Sequence, residues 1–169
     1  AKYTEGNSSQ TLLFHLIDKC NYADKIILVG GYKFETLNNF IQTEINNEIR
    51  DKITVVYNKY YKELSSGYSL YLGLKEAFQY DLNEVLFVEG DIDIDIASFK
   101  AVVEAESSVL TYNREPICSE KSVILYRNKL GQYQYVFNIS HGLIKIDDFF
   151  SEIYNSGQLW KFKQMNELK

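Results

Sequence analysis

The chain has 169 residues, of which 24% are charged, and its net charge at pH 7 is −5. This length supports one domain with a substantial hydrophobic core. The 18 Lys and Arg residues are scattered, so the sequence lacks the basic footprint of a protein that binds DNA or RNA. No apolar stretch approaches the roughly 20 residues that cross a bilayer, and no signal-peptide pattern is present. We therefore expect a cytoplasmic protein with neither a nucleic-acid nor a membrane partner.

Cysteine and histidine are too sparse to build a metal centre. Cys20 and Cys118 lie far apart in the sequence and share no metal-ligand spacing, which favours two reduced structural thiols. The two histidines are His15 and His141. Any metal site would therefore depend on carboxylates.

Helical and strand patterns alternate in the first half of the chain. Leu12, Leu16 and Ile17 recur at helical spacing, with Ser9 and Thr11 as candidate caps. Further helices are predicted over 34–45, 69–80 and 97–105, and strands over 26–29, 53–57 and 85–89. Such alternation favours a parallel central sheet joined by helical crossovers. The expected fold class is α/β, a Rossmann-like three-layer α/β/α sandwich with a mixed, mainly parallel central sheet.

The second half changes character. Three segments are strand-like, at 108–112, 122–127 and 133–139. The segment 128–131, between the last two, has the composition of a hairpin turn. We expect these strands to extend the central sheet in the antiparallel direction. The spacing of Phe149, Phe150, Ile153 and Tyr154 predicts a final helix over 147–155.

The stretch from Val85 to Asp95 carries the strongest chemical signal. An apolar run ends at Gly90, and carboxylates follow at alternate positions, Asp91, Asp93 and Asp95. Ligands of open α/β sheets bind beyond the carboxyl ends of the strands, and one or two carboxylates together with substrate phosphates suit Mg²⁺. The alternative is an acidic turn in which Asp95 or Ser98 caps the next helix.

Three blocks in order resemble the nucleotidyltransferases that act on sugar phosphates and phosphocholine. They are KIILVGGYK at 25–33, YNKY at 57–60 followed by SGYSLYL at 66–72, and EGD at 89–91. The likeness is strongest to CTP:phosphocholine cytidylyltransferases and extends over about residues 2–160. It implies a nucleotide-diphospho-sugar transferase-like fold.

The resemblance also implies transfer of a nucleotidyl group, from CTP in the first instance, to a small phosphorylated acceptor with release of pyrophosphate. Magnesium and a lysine would neutralise the charge of the phosphates. Lys2 and Asp91 are the implied catalytic residues, and Asp91 and Asp93 the implied metal ligands. The positions implied to bind the nucleotide or acceptor are Gly31, Asn58, Tyr68, Ser69 and Gly90.

Several of these residues have structural alternatives. Lys2 is equally consistent with a terminal lysine that has no catalytic role, and Ser69 with a helix N-cap. Gly31 is equally consistent with a strand-to-helix turn that needs no substrate, and Gly31→Val should harm folding if this glycine needs positive φ. Five aromatic side chains could pack in a core or could enclose a quaternary ammonium group of a choline-like acceptor. They are Tyr60, Tyr61, Tyr68, Tyr71 and Trp160.

The family's glycine-rich loop, which follows its first strand and wraps the triphosphate, has no counterpart here, and neither does its second metal carboxylate. We therefore expect a single domain over 1–169 that is either truncated at its amino-terminal and carboxyl-terminal ends or diverged from the family. Two other functions stay open. One is a glycosyltransferase of the GT-A type, which would use a nucleotide sugar and Asp91-x-Asp93, and the other is a catalytically silent binding module.

Overall fold

Two separate β-sheets, instead of one, are present in the computed structural model, which describes residues 11–64, 66–120, 122–136 and 144–168. The chain divides into two compact units. Unit 1 comprises Ala1–Asn83 and Gly90–Phe99, and unit 2 comprises Glu84–Glu89 and Lys100–Lys169. Unit 1 holds a two-stranded parallel sheet, and unit 2 a five-stranded antiparallel sheet. The predicted Rossmann-like sandwich with a mainly parallel central sheet is therefore wrong.

Unit 1 keeps the alternation of helices and strands that the sequence predicts. Its elements are α1 (Leu12–Lys19), β1 (Ile26–Gly30), α2 (Phe34–Glu44), α3 (Asn47–Arg50), β2 (Ile53–Tyr57) and α4 (Ser66–Ala77), followed by the first turn of α5 (Ile96–Glu104). The two strands pair in parallel from Ile26 with Ile53 to Gly30 with Tyr57. Their carboxyl ends therefore meet at one edge of the sheet.

The core of unit 1 lies between α1, α2 and the sheet. Its buried members are Ile17, Leu37, Phe40, Ile41 and Ile45, and Leu28 and Val55 of the strands pack against them. The helical members follow the three- and four-residue spacing of the predicted amphipathic helices. Each such buried side chain contributes about 1.5–3 kcal/mol to folding. At the start of α1, the Thr11 Oγ1 accepts a hydrogen bond from the Phe14 amide at 3.2 Å, as a helix cap does.

Unit 2 is built around one long strand. Its strands are β3 (Val85–Val88), β4 (Val109–Asn113), β5 (Ile124–Asn128), β6 (Tyr133–Tyr135) and β7 (Phe150–Phe162), with a short 3₁₀ helix at Met165–Leu168. β7 pairs antiparallel with β3, β4 and β5, and β6 pairs antiparallel with β5. The strand that precedes Asp91 thus belongs to an antiparallel sheet.

The helix predicted over 147–155 is also wrong, because that segment begins β7. The apolar spacing of Phe149, Phe150, Ile153 and Tyr154 fits one helical face, but these aromatic and β-branched residues favour strands equally well. Pairing decides between the two states, because three partner strands satisfy the backbone of β7. Those partners are remote in sequence, so a local pattern does not reveal them.

The other local predictions have mixed outcomes. The hairpin after β5 is confirmed: Gly131 has a φ of 80°, and the Asn128 Oδ1 accepts hydrogen bonds from the amides of Leu130 at 2.9 Å and Gln132 at 3.0 Å. α4 begins at Ser66, three residues before the predicted start, and α3 was not predicted. Residues 137–139 of the predicted last strand lie outside the described residues.

Within the described residues, no helix is both long enough and apolar enough to span a membrane.

Candidate functional site

Three segments of unit 1 meet beyond the carboxyl ends of β1 and β2, and Asn58 joins them. Its amide donates a hydrogen bond to the Gly30 carbonyl at 2.8 Å. The side-chain Nδ2 donates to Ser69 Oγ on α4 at 2.9 Å, and Oδ1 accepts from the Tyr60 amide at 2.9 Å. Asn58 is only 1% exposed. These bonds bring the predicted positions Asn58 and Ser69 together and engage both ends of the Asn58 amide group.

Gly31 lies against the same turn because of close packing with Tyr61. A Cβ at position 31 would stand 2.3 Å from the Tyr61 Cβ, nearer than any real contact. Gly131 is the glycine with positive φ among the described residues, so the condition of positive φ at Gly31 is not met. Lys33 has a φ of 51°, which costs a non-glycine residue about 1 kcal/mol or more.

Tyrosine rings cover this edge of unit 1. The Tyr60 and Tyr68 ring centroids are 5.8 Å apart, and Tyr68 stacks on Tyr71 at 5.8 Å with 29° between the planes. Tyr32 and Tyr61 approach to 6.4 Å. The exposed fractions of Tyr32, Tyr60 and Tyr71 are 62%, 40% and 54%. Large aromatic side chains this exposed are typical of binding surfaces.

Lysines alternate with these tyrosines. The Nζ of Lys59 lies 4.6 Å from the Tyr60 centroid, that of Lys33 5.7 Å from Tyr32, and that of Lys62 5.8 Å from Tyr61. A hydrogen bond with Tyr60 raises the pKa of Lys59 above its usual value, so this lysine is charged at neutral pH. We call these side chains the tyrosine–lysine surface, which consists of Tyr32, Lys33, Lys59, Tyr60, Tyr61, Lys62, Tyr68 and Tyr71.

The positive charge of this surface opposes the predicted enclosure of a quaternary ammonium group. Cations already occupy positions over the rings of Tyr32, Tyr60 and Tyr61. Trp160 lies in unit 2, where its Nε1 donates a hydrogen bond to the Tyr135 hydroxyl.

The three carboxylates of the predicted metal-binding turn have different surroundings. Asp91 and Gly90 are exposed, and a Cβ at Gly90 would meet nothing within 4 Å. Asp93 is ion-paired, with its Oδ1 3.4 Å from the Lys19 Nζ. The Asp95 Oδ1 accepts hydrogen bonds from the amides of Ala97 at 3.1 Å and Ser98 at 2.9 Å. A hydrogen bond from the Ser98 side chain, together with these amide bonds, lowers the pKa of the Asp95 carboxyl group. The prediction that Asp95 caps the next helix is thus confirmed.

The residues of this turn do not fit a preformed magnesium centre. Among the described residues, no group of three or more His, Cys, Asp or Glu side chains converges as metal ligands would. The ammonium beside Asp93 also repels a second cation at that carboxylate. Magnesium therefore stays a prediction, and so does the catalytic role of Asp91; Lys2 lies outside the described residues.

The alternative that Ser69 is a helix N-cap is wrong, and the sequence analysis missed the lysines of the site. Ser69 lies inside α4 instead of preceding it, and its Oγ serves Asn58. Lys33, Lys59 and Lys62 were not singled out. The signal was available in the sequence YNKYYK at 57–62, which places two lysines among three tyrosines in one short segment.

A cleft of about 470 Å³ lies in unit 2. Its lining includes Leu110, Tyr112, Tyr133, Tyr154 and Lys161. The Lys161 Nζ is committed to the backbone carbonyls of Val103 at 2.5 Å and Ala105 at 2.8 Å. The cleft therefore lacks the available charged groups that the tyrosine–lysine surface presents.

Residues 1–169 match the family described as "Domain of unknown function (DUF6564)". The chain belongs to this family. No curated protein and no solved structure matches it. Membership in this family assigns no reaction, so nucleotidyl transfer rests on the sequence resemblance and on the geometry of unit 1.

Proposed function

We propose that this chain binds a nucleoside triphosphate at the tyrosine–lysine surface and transfers its nucleotidyl group to a small phosphorylated acceptor. The observation that carries the proposal is a cluster of tyrosine rings beyond the carboxyl ends of two parallel strands, in which Tyr68 and Tyr71 stack and three lysines lie over the neighbouring rings. Crevices at this end of parallel strands are where α/β proteins commonly bind ligands.

The two kinds of side chain suit the two halves of a nucleotide. Exposed rings such as Tyr60 and Tyr71 offer faces on which a base stacks, and such stacking contributes about 1–3 kcal/mol. Lys33, Lys59 and Lys62 supply positive charge for the phosphates. A neutral or cationic ligand would gain less from this combination than an anionic aromatic one.

Asn58 and Ser69 act in this proposal as positioning residues. Their hydrogen bond ties the Tyr60 turn to the helix that carries Tyr68 and Tyr71. Because the Asn58 side chain is buried and engaged at both ends, it shapes the surface without touching the ligand.

In the transfer step, a phosphate oxygen of the acceptor attacks the α-phosphorus of the nucleotide. A new phosphorus–oxygen bond forms while the bond to the β-phosphate oxygen breaks, and pyrophosphate leaves. Such chemistry depends mainly on positioning and charge neutralisation. The lysines of the surface would neutralise phosphate charge, and a divalent cation would arrive as part of the nucleotide substrate, with Asp91 as the carboxylate proposed to face it.

Calorimetric titration with CTP, UTP, ATP and GTP in MgCl₂ tests the binding step. We expect binding of at least one nucleotide, and we expect Tyr60→Ala to weaken it by about fivefold or more through lost stacking. Tyr112→Ala is the matched control, because Tyr112 is 56% exposed but belongs to unit 2. Failure of all four nucleotides to bind, or equal losses in both variants, would contradict the proposal.

Transfer is tested with the bound nucleotide labelled at its α-phosphate and with sugar phosphates or phosphocholine as acceptors. We expect a labelled acceptor product and stoichiometric pyrophosphate. Nucleotide binding without either product would contradict the transferase and would instead support the silent binding module.

We also propose that the protein works in the cytoplasm, because Cys20 and Cys118 are both free thiols. Burial raises the pKa of Cys20 to about 11, which keeps this thiol from ionising and exchanging. Mass spectrometry of protein trapped with a thiol reagent in cells should find both cysteines reduced.

A further inference from the structure

We propose that the Lys19 ammonium is the resident cation of the turn from Gly90 to Asp95. It fills the role beside Asp93 that the sequence pattern assigns to magnesium. The inference concerns Asp93 and its contacts, whereas the proposed transfer step uses Asp91, so the inference does not depend on nucleotide binding.

The contacts of Lys19 carry the argument. Lys19 ends α1, and its side chain is only 16% exposed. Its Nζ lies 3.4 Å from the Asp93 Oδ1 and donates a hydrogen bond to the Ile94 carbonyl. The ammonium thus contacts one carboxylate and one backbone carbonyl, the two kinds of oxygen that a hard metal ion would use in a loop of this kind.

The rest of the turn is held by groups of the protein. On its carboxyl side Asp95 caps α5 through the amides of Ala97 and Ser98. The first turn of α5 is anchored by Phe99, which is 2% exposed and meets the Tyr22 ring edge-on at 6.4 Å. The backbone around Asp93 is therefore fixed from α1 and from α5, and a metal ion is not needed to order it.

The positive charge of Lys19 determines how strongly Asp93 can bind a divalent ion. Lys19 cancels the charge of Asp93, so a divalent ion at Asp93 meets a neutral pair instead of an available carboxylate. Asp93 is 83% exposed, so the pair is screened by water, and its effect on a competing ion is of the order of one surface ion pair.

Binding of Mn²⁺ alone, followed by electron paramagnetic resonance without nucleotide, tests the inference. Lys19→Met keeps the long apolar stem and removes the ammonium. We expect this variant to bind Mn²⁺ up to about fivefold more tightly than the parent protein. The gain should disappear in the double variant Lys19→Met/Asp93→Asn, because the freed Asp93 is its source.

Two further variants keep the test decisive if Lys19→Met does not fold. Asp93→Asn alone should leave Mn²⁺ affinity unchanged, since Lys19 already neutralises that carboxylate, and Lys19→Arg should behave like the parent. Weaker Mn²⁺ binding by Asp93→Asn would overturn the inference, as would a folded Lys19→Met variant with no gain. The proposed nucleotide function would be untouched by either result, because no nucleotide enters the experiment.

Discussion

At the scale of single residues, the site of unit 1 depends on close contacts around one buried amide. Asn58 bonds to the end of β1, to the turn after β2 and to α4. Gly31 packs directly on Tyr61 in the same turn. Small changes at these positions should therefore alter the whole edge of the sheet.

Gly31→Ala should destabilise the protein because its new Cβ would lie 2.3 Å from the Tyr61 Cβ, where no flexible side-chain end can move away. Overpacking of this kind costs about 1–3 kcal/mol. Gly90→Ala is the matched control, since its Cβ would meet nothing within 4 Å. Urea unfolding measures both, and equal losses in the two variants would show that close packing at Gly31 is not the cause.

Ser69→Ala should also reduce the free energy of unfolding, because it removes the acceptor of the buried Asn58 Nδ2. An unsatisfied buried donor costs about 1–3 kcal/mol. Thr43→Ala removes an exposed hydroxyl that donates to the Asn39 carbonyl at 3.0 Å, so it should cost less, within about 0.5 kcal/mol. Denaturation midpoints that coincide for the two variants would contradict a positioning role for Ser69.

At the scale of elements, β7 organises unit 2 and Lys161 ties it to the end of α5. The Lys161 side chain is 3% exposed, and its Nζ donates to the carbonyls of Val103 and Ala105 while lying 3.4 Å from the Glu84 Oε2. The last carbonyls of a helix lack partners within the helix, and a cation there also favours the helix dipole. One buried lysine thus joins β7, α5 and the residue before β3.

Lys161→Met should cost about 2–3 kcal/mol, because two charge-assisted hydrogen bonds from a buried ammonium to half-buried carbonyls are lost together. Lys163→Met is the control: Lys163 meets the same Glu84 at 2.9 Å but is 44% exposed, so its loss should cost at most about 1 kcal/mol. Chemical unfolding followed by the fluorescence of Trp160, the one tryptophan, reports on unit 2 directly. A larger loss for the exposed lysine would refute this account.

At the scale of the whole molecule, carboxylates in both units link stability to pH. The hydrogen bond from Lys163 lowers the pKa of Glu84 in unit 2, and the hydrogen bonds of Ser98 lower that of Asp95 in unit 1. A carboxylate whose pKa is lower in the folded state favours folding when it is ionised. The contribution is therefore complete above the ordinary values of 4.5 for Glu84 and 3.8 for Asp95, and is lost as the pH falls through the lower folded-state values.

We expect the free energy of unfolding to fall as the pH is lowered from about 5 to about 3, and to fall less steeply in the double variant Glu84→Gln/Asp95→Asn. Urea unfolding at a series of pH values measures the slope. Glu106→Gln, at an exposed loop position, is the control and should leave the slope unchanged. Identical slopes in the double variant and the parent protein would show that these two carboxylates do not set the acid sensitivity.

The sequence predicted much of unit 1 and the cap formed by Asp95, because these depend on local patterns. Apolar periodicity located α1, α2, β1 and β2, and the turn residues around Asn128 located the hairpin. The family resemblance, and not a local pattern, implied that Asn58 and Ser69 bind the nucleotide or acceptor, and it did not imply their mutual hydrogen bond. Amphipathic spacing and turn chemistry are properties of neighbouring residues, so they can be recognised along the chain.

Only the tertiary structure determined which strands pair, whether residues 150–162 form a helix or a strand, and which residue contacts Asp93. β3 pairs with β7 instead of joining β1, and Lys19 reaches Asp93 across 74 positions of sequence. The physical reason is the same in each case. A residue pattern states which face of an element is apolar and which groups need partners, whereas the choice of partner depends on what the folded chain brings within reach.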